Sequence, residues 1–396
     1  MPFIGNKPSA VPLTSADIAD GIITSAKIVD GTIVNADINA TSAITLNKLS
    51  GNPSFRNIVI NGDMQIAQRS TSVASITASG YYTLDRWLFD IATQGTWTMS
   101  QSTDVPSGYG FFNSLKLDCT TADASPASGD AVLIRTRFEG QNLQYLKKGT
   151  ANALPLVLSF WVKSTKTGTF ICNLIDDTNS RLNAQSYTVS VSNTWEFKTV
   201  TFPADTTGTL ANTNASALSF NFWLGAGTDF TSGTLQTTWG ATVNTNRAVG
   251  QVNCADSTSN DFLITGVQLE AGTSATDFEF LPIDVSLGRC LRYFQTFRGE
   301  NVYICNGGMQ STTSFVGAVE YLVTMRATPT FTENSGASYF RVFTTSGSSI
   351  STIAVNDLYG TRSMAINATT ASLTAGQAGA IRCLSADAKI DYSAEL

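Results

Sequence analysis

The sequence contains no histidine. Histidine is the side chain that most often serves as a general base or a metal ligand near neutral pH. Its absence excludes a Ser-His-Asp triad. Charged residues make up only 14% of the 396 residues, well below the usual quarter of a globular chain. Ser, Thr, Asn and Gly fill the gap, a composition typical of β-rich extracellular or virion surfaces.

Basic clusters and closely spaced cysteines are also missing. The formal net charge is −6 and the sequence pI about 4.8, so we expect no nucleic-acid partner. None of the cysteines forms a C-x-x-C pair, which argues against structural zinc. We expect buried free thiols, as in a protein made in a reducing cytoplasm, and no cofactor. The six cysteines are Cys119, Cys172, Cys254, Cys290, Cys305 and Cys383.

No long hydrophobic run is present. The longest apolar stretch, residues 153–162, is too short to cross a bilayer and contains a proline. The opening "MPFIGNKPSA" has neither the charged region nor the apolar region of a signal peptide. The sequence therefore predicts a protein that does not insert into a membrane.

A strict repeat occupies residues 16–53. One large apolar residue in five cannot form a core within a single chain, but several chains wound about one axis can share these residues as a seam. A step of five fits neither a helix nor a strand, and Asp20-Gly21 and Asp30-Gly31 indicate turns. We predict an intertwined trimeric stalk; the alternative is a disordered polar linker. The predicted seam residues are Leu13, Ile18, Ile23, Ile28, Ile33, Ile38, Ile44 and Leu49.

Short runs rich in aromatic and β-branched residues follow, separated by Gly, Pro, Asn, Asp and Ser. This pattern predicts an all-β fold with a β-sandwich over residues 54–285. Alternation at Leu158, Phe160 and Val162 places one strand face inward. Four tryptophans within strand patterns are predicted to be core residues: Trp87, Trp161, Trp195 and Trp223.

A helical spacing appears only after the sandwich. Residues 284–297 carry apolar side chains at i, i+3, i+4 and i+7, with Asp284 or Ser286 as the N-cap. We therefore assign a linker helix to residues 286–298. Residues 299–396 return to short β runs and are predicted to form a small C-terminal β domain.

Several of these segments together resemble a known family. "NIVINGDMQIAQRSTS" (57–72), "YYTLDRW" (81–87), "LSFWVKST" (158–165), "WEFKTVTFPAD" (195–205) and residues 267–297 resemble the jelly-roll domain of bacteriophage tail fibres. The proline-containing opening is similar to virion-anchoring segments of marine and cyanobacterial phage fibres. The jelly roll is also similar to carbohydrate-binding modules.

The resemblance implies a structural fibre of a phage virion, assembled in the host cytoplasm as a homotrimer. Residues 1–15 would anchor it to a tail, neck or capsid protein, and its β domains would bind a host-surface glycan. By polarity, residues 299–396 are the expected main site of adhesion. The alternatives are a capsid or neck fibre without a receptor role, a polysaccharide depolymerase and a free carbohydrate-binding protein.

Acidic and aromatic residues are the candidate site residues of this sequence. No spacing pairs the acids into a glycosidase dyad, so we expect no enzyme activity and assign no metal site, although Asp176-Asp177 and Asp261 offer oxygen ligands suited to Ca²⁺. The acids considered are Glu139, Asp176, Asp177, Asp261, Glu270 and Glu279. Aromatic residues in loop-like contexts could cover the apolar face of a sugar ring. These are Tyr109, Trp239, Tyr339 and Tyr359.

Overall fold

The computed structural model describes residues 55–334, 339–344, 348–350 and 352–396, and for residues 348, 349 and 355–359 it describes the backbone alone. The predicted anchor (1–15), the predicted stalk (16–53) and all the seam residues lie outside the described part of the chain. Residues Phe55–Leu396 form one compact unit.

Two six-stranded antiparallel sheets face each other in the first half of this unit. Strands are numbered in chain order. The first sheet contains β1 (Ser72–Ile76), β3 (Thr96–Ser102), β4 (Ser114–Thr121), β6 (Leu156–Ser164), β9 (Glu196–Phe202) and β12 (Asp261–Ala271). The second contains β2 (Leu88–Ala92), β5 (Ala131–Glu139), β7 (Gly168–Asp176), β8 (Arg181–Val189), β10 (Ser216–Ala226) and β11 (Gly240–Ala241). Their orders are β1-β3-β4-β12-β6-β9 and β11-β8-β7-β10-β5-β2.

The core of the sandwich lies between the two sheets and is built by strand alternation. Leu158, Phe160 and Val162 point inward from β6 and are fully buried, as the sequence pattern predicted. Phe220 and Phe222 of β10 meet them from the opposite sheet, and the Phe160 and Phe222 rings pack edge to face with centroids 4.8 Å apart. The all-β class and the sandwich are therefore confirmed.

The tryptophans divide into two groups. Trp87 and Trp223 are fully buried, as predicted. Trp161 and Trp195 are only half-buried, so their assignment to the core was wrong. Trp161 follows Phe160 on β6 and therefore points to the outer face of the sheet. All six cysteines are free and buried, which confirms the prediction of buried thiols.

Small helical elements lie beside the second sheet. They are α1 (Thr228–Thr231) and the 3₁₀ turns Gly140–Asn142, Gln144–Leu146 and Asn244–Asn246. Phe230 of α1 packs on Trp223, and this segment covers part of the sheet's outer face. The outer face of the first sheet carries a different, partly exposed group of aromatic residues around Trp161.

The helix after the sandwich is shorter than predicted. Helix α2 spans Ile283–Leu291, with Pro282 at the N-cap position and Asp284 in the first turn. Neither Asp284 nor Ser286 is therefore the cap. The predicted linker helix over 286–298 is wrong in its second half, where β13 (Phe294–Arg298) is a strand. Pairing of β13 with residues 389–393 overrides the helical spacing.

The C-terminal residues form two further antiparallel sheets. Their remaining strands are β14 (Tyr303–Met309), β15 (Ser314–Glu320), β16 (Thr330–Glu333), β17 (Phe340–Phe343), β18 (Ser348–Ser349), β19 (Thr352–Tyr359), β20 (Ser363–Thr369), β21 (Ala378–Cys383) and β22 (Lys389–Ser393). The three-stranded sheet has the order β13-β22-β16, and the seven-stranded sheet the order β18-β17-β21-β14-β15-β20-β19. A second hydrophobic core, including Phe315, Ile366, Ile381 and Tyr392, lies within this part.

The segment after β22 is inserted against the sandwich. Glu395 pairs with the guanidinium of Arg86, whose side chain is 1% exposed, and with Arg69 at 3.1 Å. The carbonyl oxygen of Leu396 accepts hydrogen bonds from Arg137 and from the hydroxyl of Tyr81. The sandwich and the C-terminal sheets therefore share buried ionic contacts. None of the described helices is long and apolar enough to span a membrane.

Candidate functional site

An aromatic cleft opens on the outer face of the first sheet. Its floor is Trp161 of β6, whose backbone pairs with Phe197 of β9 on one side and with Thr265 of β12 on the other. The Trp161 and Phe197 ring centroids are 5.4 Å apart. The cleft encloses about 610 Å³, which is within the range of small-molecule sites.

Tyr109 forms one wall of the cleft. It lies between Gly108 and Gly110, which have φ angles of +85° and +82° and so allow a tight turn that residues with a Cβ rarely adopt. The Tyr109 ring centroid is 4.3 Å from that of Trp161. Tyr109 is 56% exposed and Phe197 50% exposed, so the two rings flank Trp161 and remain open to solvent.

Three phenylalanines form the opposite wall. Phe111, Phe278 and Phe280 pack mutually, with ring centroids 4.9–5.2 Å apart. Gly266 lies beneath them at a register irregularity of β12, with a φ of +62°. A Cβ on Gly266 would lie 2.5 Å from the Phe111 ring, so only glycine permits this close approach.

Buried polar side chains fix the loop that carries two of these phenylalanines. Glu270 accepts hydrogen bonds from the backbone N–H of Thr276 at 2.8 Å and from its hydroxyl. Gln268 accepts from the backbone N–H of Glu279 at 2.8 Å. Both side chains project from β12 and are at most 3% exposed. The loop is therefore held in place by the sheet, and the cleft is formed before any ligand arrives.

Several charged side chains around the cleft are paired within the protein. Asp104 accepts hydrogen bonds from Lys163 at 2.7 Å and from the indole N–H of Trp195 at 2.9 Å. Partial burial raises the pKa of Asp104, but these two bonds outweigh that effect and the pKa lies below its usual value. Lys116, which projects from the same face, pairs with Asp261 at 3.0 Å.

The structure places the four predicted aromatic residues in separate surroundings. Tyr109 lines the cleft. Trp239 packs against the sandwich core and donates its indole N–H to the carbonyl of Pro203 at 2.8 Å. Tyr339 is half-buried against the second core. Tyr359 belongs to β19, and its side chain lies outside the described atoms. The structure therefore does not bring the three described side chains, those of Tyr109, Trp239 and Tyr339, together.

Sequence reasoning missed most of the residues that line the cleft. The missed aromatics are Phe111, Trp161, Phe197, Phe278 and Phe280. A signal for Trp161 was present, because alternation that points Phe160 and Val162 inward points Trp161 outward. No comparable signal existed for the loop phenylalanines, because their positions depend on contacts with β12 that are distant in sequence.

The acids that were considered as catalytic or metal-binding groups have structural partners. Two of them form ion pairs with lysines: Asp176 with Lys148, and Asp261 with Lys116. Glu139 accepts hydrogen bonds from Arg292 and Tyr293, and Asp177 accepts from Ser216 and Ser219. Glu270 accepts from Thr276, and Glu279 accepts from the backbone N–H groups of Phe55 and Asn57. Among the described residues, no group of three or more Cys, Asp or Glu side chains is arranged to hold a metal ion. The cleft thus offers apolar surface and a few polar groups.

This arrangement suits stacking against a flat ring. Flat aromatic faces exclude water from the apolar face of a ligand ring. Ser159 and Asp277 lie at the cleft and can exchange hydrogen bonds with hydroxyl groups. An uncharged polyhydroxylated ring matches both features.

Comparisons with known proteins find matches among solved structures. No protein-family model matches the sequence, and no curated protein matches it. The solved structures that match part of the chain include carbohydrate-binding modules and a phage tailspike domain, all at low sequence identity and low TM-score.

The enzymatically active domain of bacteriophage CBA120 tailspike protein 4 is 16% identical with a TM-score of 0.28, and the match covers 55% of this chain and 22% of that one. TmCBM61 in complex with β-1,4-galactotriose is 9% identical with a TM-score of 0.29, over 55% of this chain and 99% of that one. The family 11 carbohydrate-binding module of the cellulase Lic26A-Cel5E of Clostridium thermocellum is 13% identical with a TM-score of 0.24, over 51% and 99%.

Proposed function

We propose that this protein is a structural fibre of a bacteriophage virion that adheres to a host-surface glycan through the aromatic cleft. The observation that carries the adhesive part is the Trp161 ring on the sheet surface, flanked by the exposed rings of Tyr109 and Phe197. The phage part is supported by the sequence segments that resemble tail-fibre jelly rolls. The five-residue repeat supports a trimeric stalk.

In this proposal, residues 1–15 bind a tail, neck or capsid protein and residues 16–53 join three chains. The cleft in the sandwich shifts the expected site of adhesion from residues 299–396 toward residues 54–285. A capsid or neck fibre would have the same stalk but need no open aromatic cleft. A depolymerase would need a free acid pair, whereas each acid considered above already has a protein partner.

Loss of the Trp161 ring should weaken glycan binding. The probes are soluble β-1,4-galactan, mixed-linkage β-glucan and xylan, tested by affinity gel electrophoresis of the full chain. Trp161→Ala should reduce affinity for the polysaccharide that retards the wild type by at least about tenfold, or about 1.4 kcal/mol, because a stacking face is removed. Reducing ends measured in the same mixtures should not increase.

Phe112→Ala is the matched control, because Phe112 is 74% exposed and does not line the cleft. It should bind like the wild type. Adhesion through the cleft would be refuted if the polysaccharide retarded Trp161→Ala as much as the wild type. It would also be refuted if none of the three probes retarded the wild type. Sustained release of reducing ends would favour the depolymerase alternative instead.

A further inference from the structure

A second cluster of exposed aromatic and charged side chains lies on the seven-stranded sheet. Arg382 of β21 lies opposite Tyr303 of β14 on one side and opposite Arg341 of β17 on the other. The three side chains therefore lie in one row on one face of the sheet. Phe343 is two residues after Arg341 and lies on the same face. We call these four residues the arginine–aromatic patch. Intervening residues such as Val342 point into the second core.

The rings and one guanidinium of this patch are in mutual contact. Tyr303 is 52% exposed and Phe343 42% exposed, with ring centroids 6.1 Å apart. The guanidinium carbon of Arg382 lies 4.9 Å from the Phe343 ring centroid and 5.8 Å from that of Tyr303. The two rings therefore orient the guanidinium through cation–π contacts, without a carboxylate partner.

Neither arginine of the patch is neutralised by the described residues. No ion pair joins Arg341 or Arg382 to a described acid, and the Nε atom of each is buried without a hydrogen-bond partner. Arg181 and Arg292 of the sandwich, by contrast, have carboxylate partners at 2.8 and 2.7 Å. The adjoining residues 335–338 and 345–347 contain neither Asp nor Glu.

Placing two guanidiniums on directly opposed positions of neighbouring strands is unfavourable. Like charges at such positions repel each other. The chain as a whole is acidic, with 30 acidic and 24 basic residues, yet none of the described carboxylates pairs with either arginine of the patch. A bound anion between the two guanidiniums would remove this repulsion.

We propose that the arginine–aromatic patch binds a carboxylate-bearing saccharide, such as a uronic acid unit of an acidic polysaccharide. The planar guanidinium matches a carboxylate with two parallel hydrogen bonds. The rings of Tyr303 and Phe343 cover the apolar face of the pyranose. This site is separate from the aromatic cleft, whose neighbouring lysines are already paired with carboxylates, and it does not depend on the function proposed for that cleft.

The test uses the full chain and immobilised polygalacturonate, measured by biolayer interferometry. The wild type should bind, and the double variant Arg341→Gln/Arg382→Gln should bind at least tenfold more weakly. Gln keeps a polar side chain without the charge, and thermal melting verifies that the variant is folded. Arg362→Gln is the matched control, because Arg362 is an exposed arginine of the same part of the chain and the charge lost is of the same kind.

Three further measurements separate the possible outcomes. Trp161→Ala should bind polygalacturonate like the wild type, because the two sites are independent. Tyr303→Ala should weaken binding, and polyphosphate, an anion without sugar rings, should bind at least tenfold more weakly than polygalacturonate. The proposal would be overturned if the wild type did not bind polygalacturonate, or if the double variant bound it as tightly as the wild type does. It would also be overturned if polyphosphate bound as tightly as polygalacturonate. Each of these results leaves the test of the aromatic cleft unaffected.

Discussion

At the scale of single residues, Lys148 shows how the sandwich manages its buried acids. Its ammonium group contacts the carboxylates of Asp176 and Asp205 and the backbone carbonyls of Thr207 and Gly208. Asp176 is fully buried and Lys148 is 8% exposed. The carboxylate oxygens of Asp176 were noted above as suitable ligands for Ca²⁺. A cation does lie beside them, but it is the ammonium group of Lys148. The sequence could not reveal this, because Lys148 lies 28 residues before Asp176.

Lys148→Met should destabilise the fold and make its stability depend on Ca²⁺. Removing the ammonium leaves the fully buried carboxylate of Asp176 without a cation, which costs about 3–5 kcal/mol, while Asp205 keeps its pair with Arg181. Millimolar Ca²⁺ should restore part of the melting temperature of this variant, because oxygen ligands remain around the vacated position. Differential scanning calorimetry with Ca²⁺ and with EDTA measures both effects.

The exposed neighbour Lys147 provides the control for this experiment. Lys147→Met should melt like the wild type, and neither protein should respond to EDTA. A Lys148→Met protein as stable as the wild type would contradict the buried-pair argument. A Ca²⁺ effect of equal size in all three proteins would show that the rescue is not specific to this position.

At the scale of elements, the sequence predicted which segments are strands better than it predicted where they end. Alternation in β6 gives the inward face correctly, because each strand has a period of two whatever it pairs with. The end of α2 could not be read, because Phe294 belongs to a strand that pairs with Ser393, far away in the chain. The cleft was predicted only at Tyr109, because its other walls are loops positioned by side chains of β12.

The stability of the fold should depend on pH through the buried carboxyl group of Asp85. Burial raises the pKa of Asp85 to about 6, against the favourable effects of Arg69 and of hydrogen bonds from Gln68. A raised carboxyl pKa means that the folded state binds the proton more tightly than the unfolded state. The stability contributed by Asp85 is then present below about pH 4 and is lost as the pH rises through about 6.

Asp85→Asn removes this titration. The melting temperature of the variant, relative to that of the wild type, should therefore rise between pH 4 and pH 7, and thermal melts across this range measure the change. Asp387→Asn, at an exposed aspartate, should show a constant difference from the wild type. A pH-independent difference for Asp85→Asn would show that the buried carboxyl does not titrate in this range.

At the scale of the whole molecule, the proposed trimer depends on residues outside the described part. Eight apolar side chains at the repeat positions could contribute roughly 1.5–3 kcal/mol each when fully buried against partner chains. Ordering the segment costs a similar amount or more. The stalk should therefore be marginal by itself and gain from contacts between the β domains. A closed threefold ring would give every chain an equivalent environment.

Ile28→Asp should fray the stalk while Phe55–Leu396 stays folded. Three carboxylates would then meet in an apolar seam, where unpaired charges are strongly unfavourable. Light scattering should report a trimer for the wild type, and limited proteolysis should cleave the Ile28→Asp stalk faster. Ser25→Asp, off the seam, should resemble the wild type. A monomeric wild type, or equal protease resistance of all three proteins, would refute the axial seam.

The insertion of Glu395 beside Arg86 also has a consequence for synthesis on the ribosome. The two residues are 309 positions apart, so the nascent chain exposes the sandwich segments long before the partner of Arg86 is translated. Until then, Arg86 cannot be buried next to its carboxylate, and an uncompensated buried charge is strongly unfavourable. The sandwich therefore cannot reach its final packing before residue 395 has left the exit tunnel of the ribosome. Its last step of folding must wait for a residue that is translated 309 positions after Arg86.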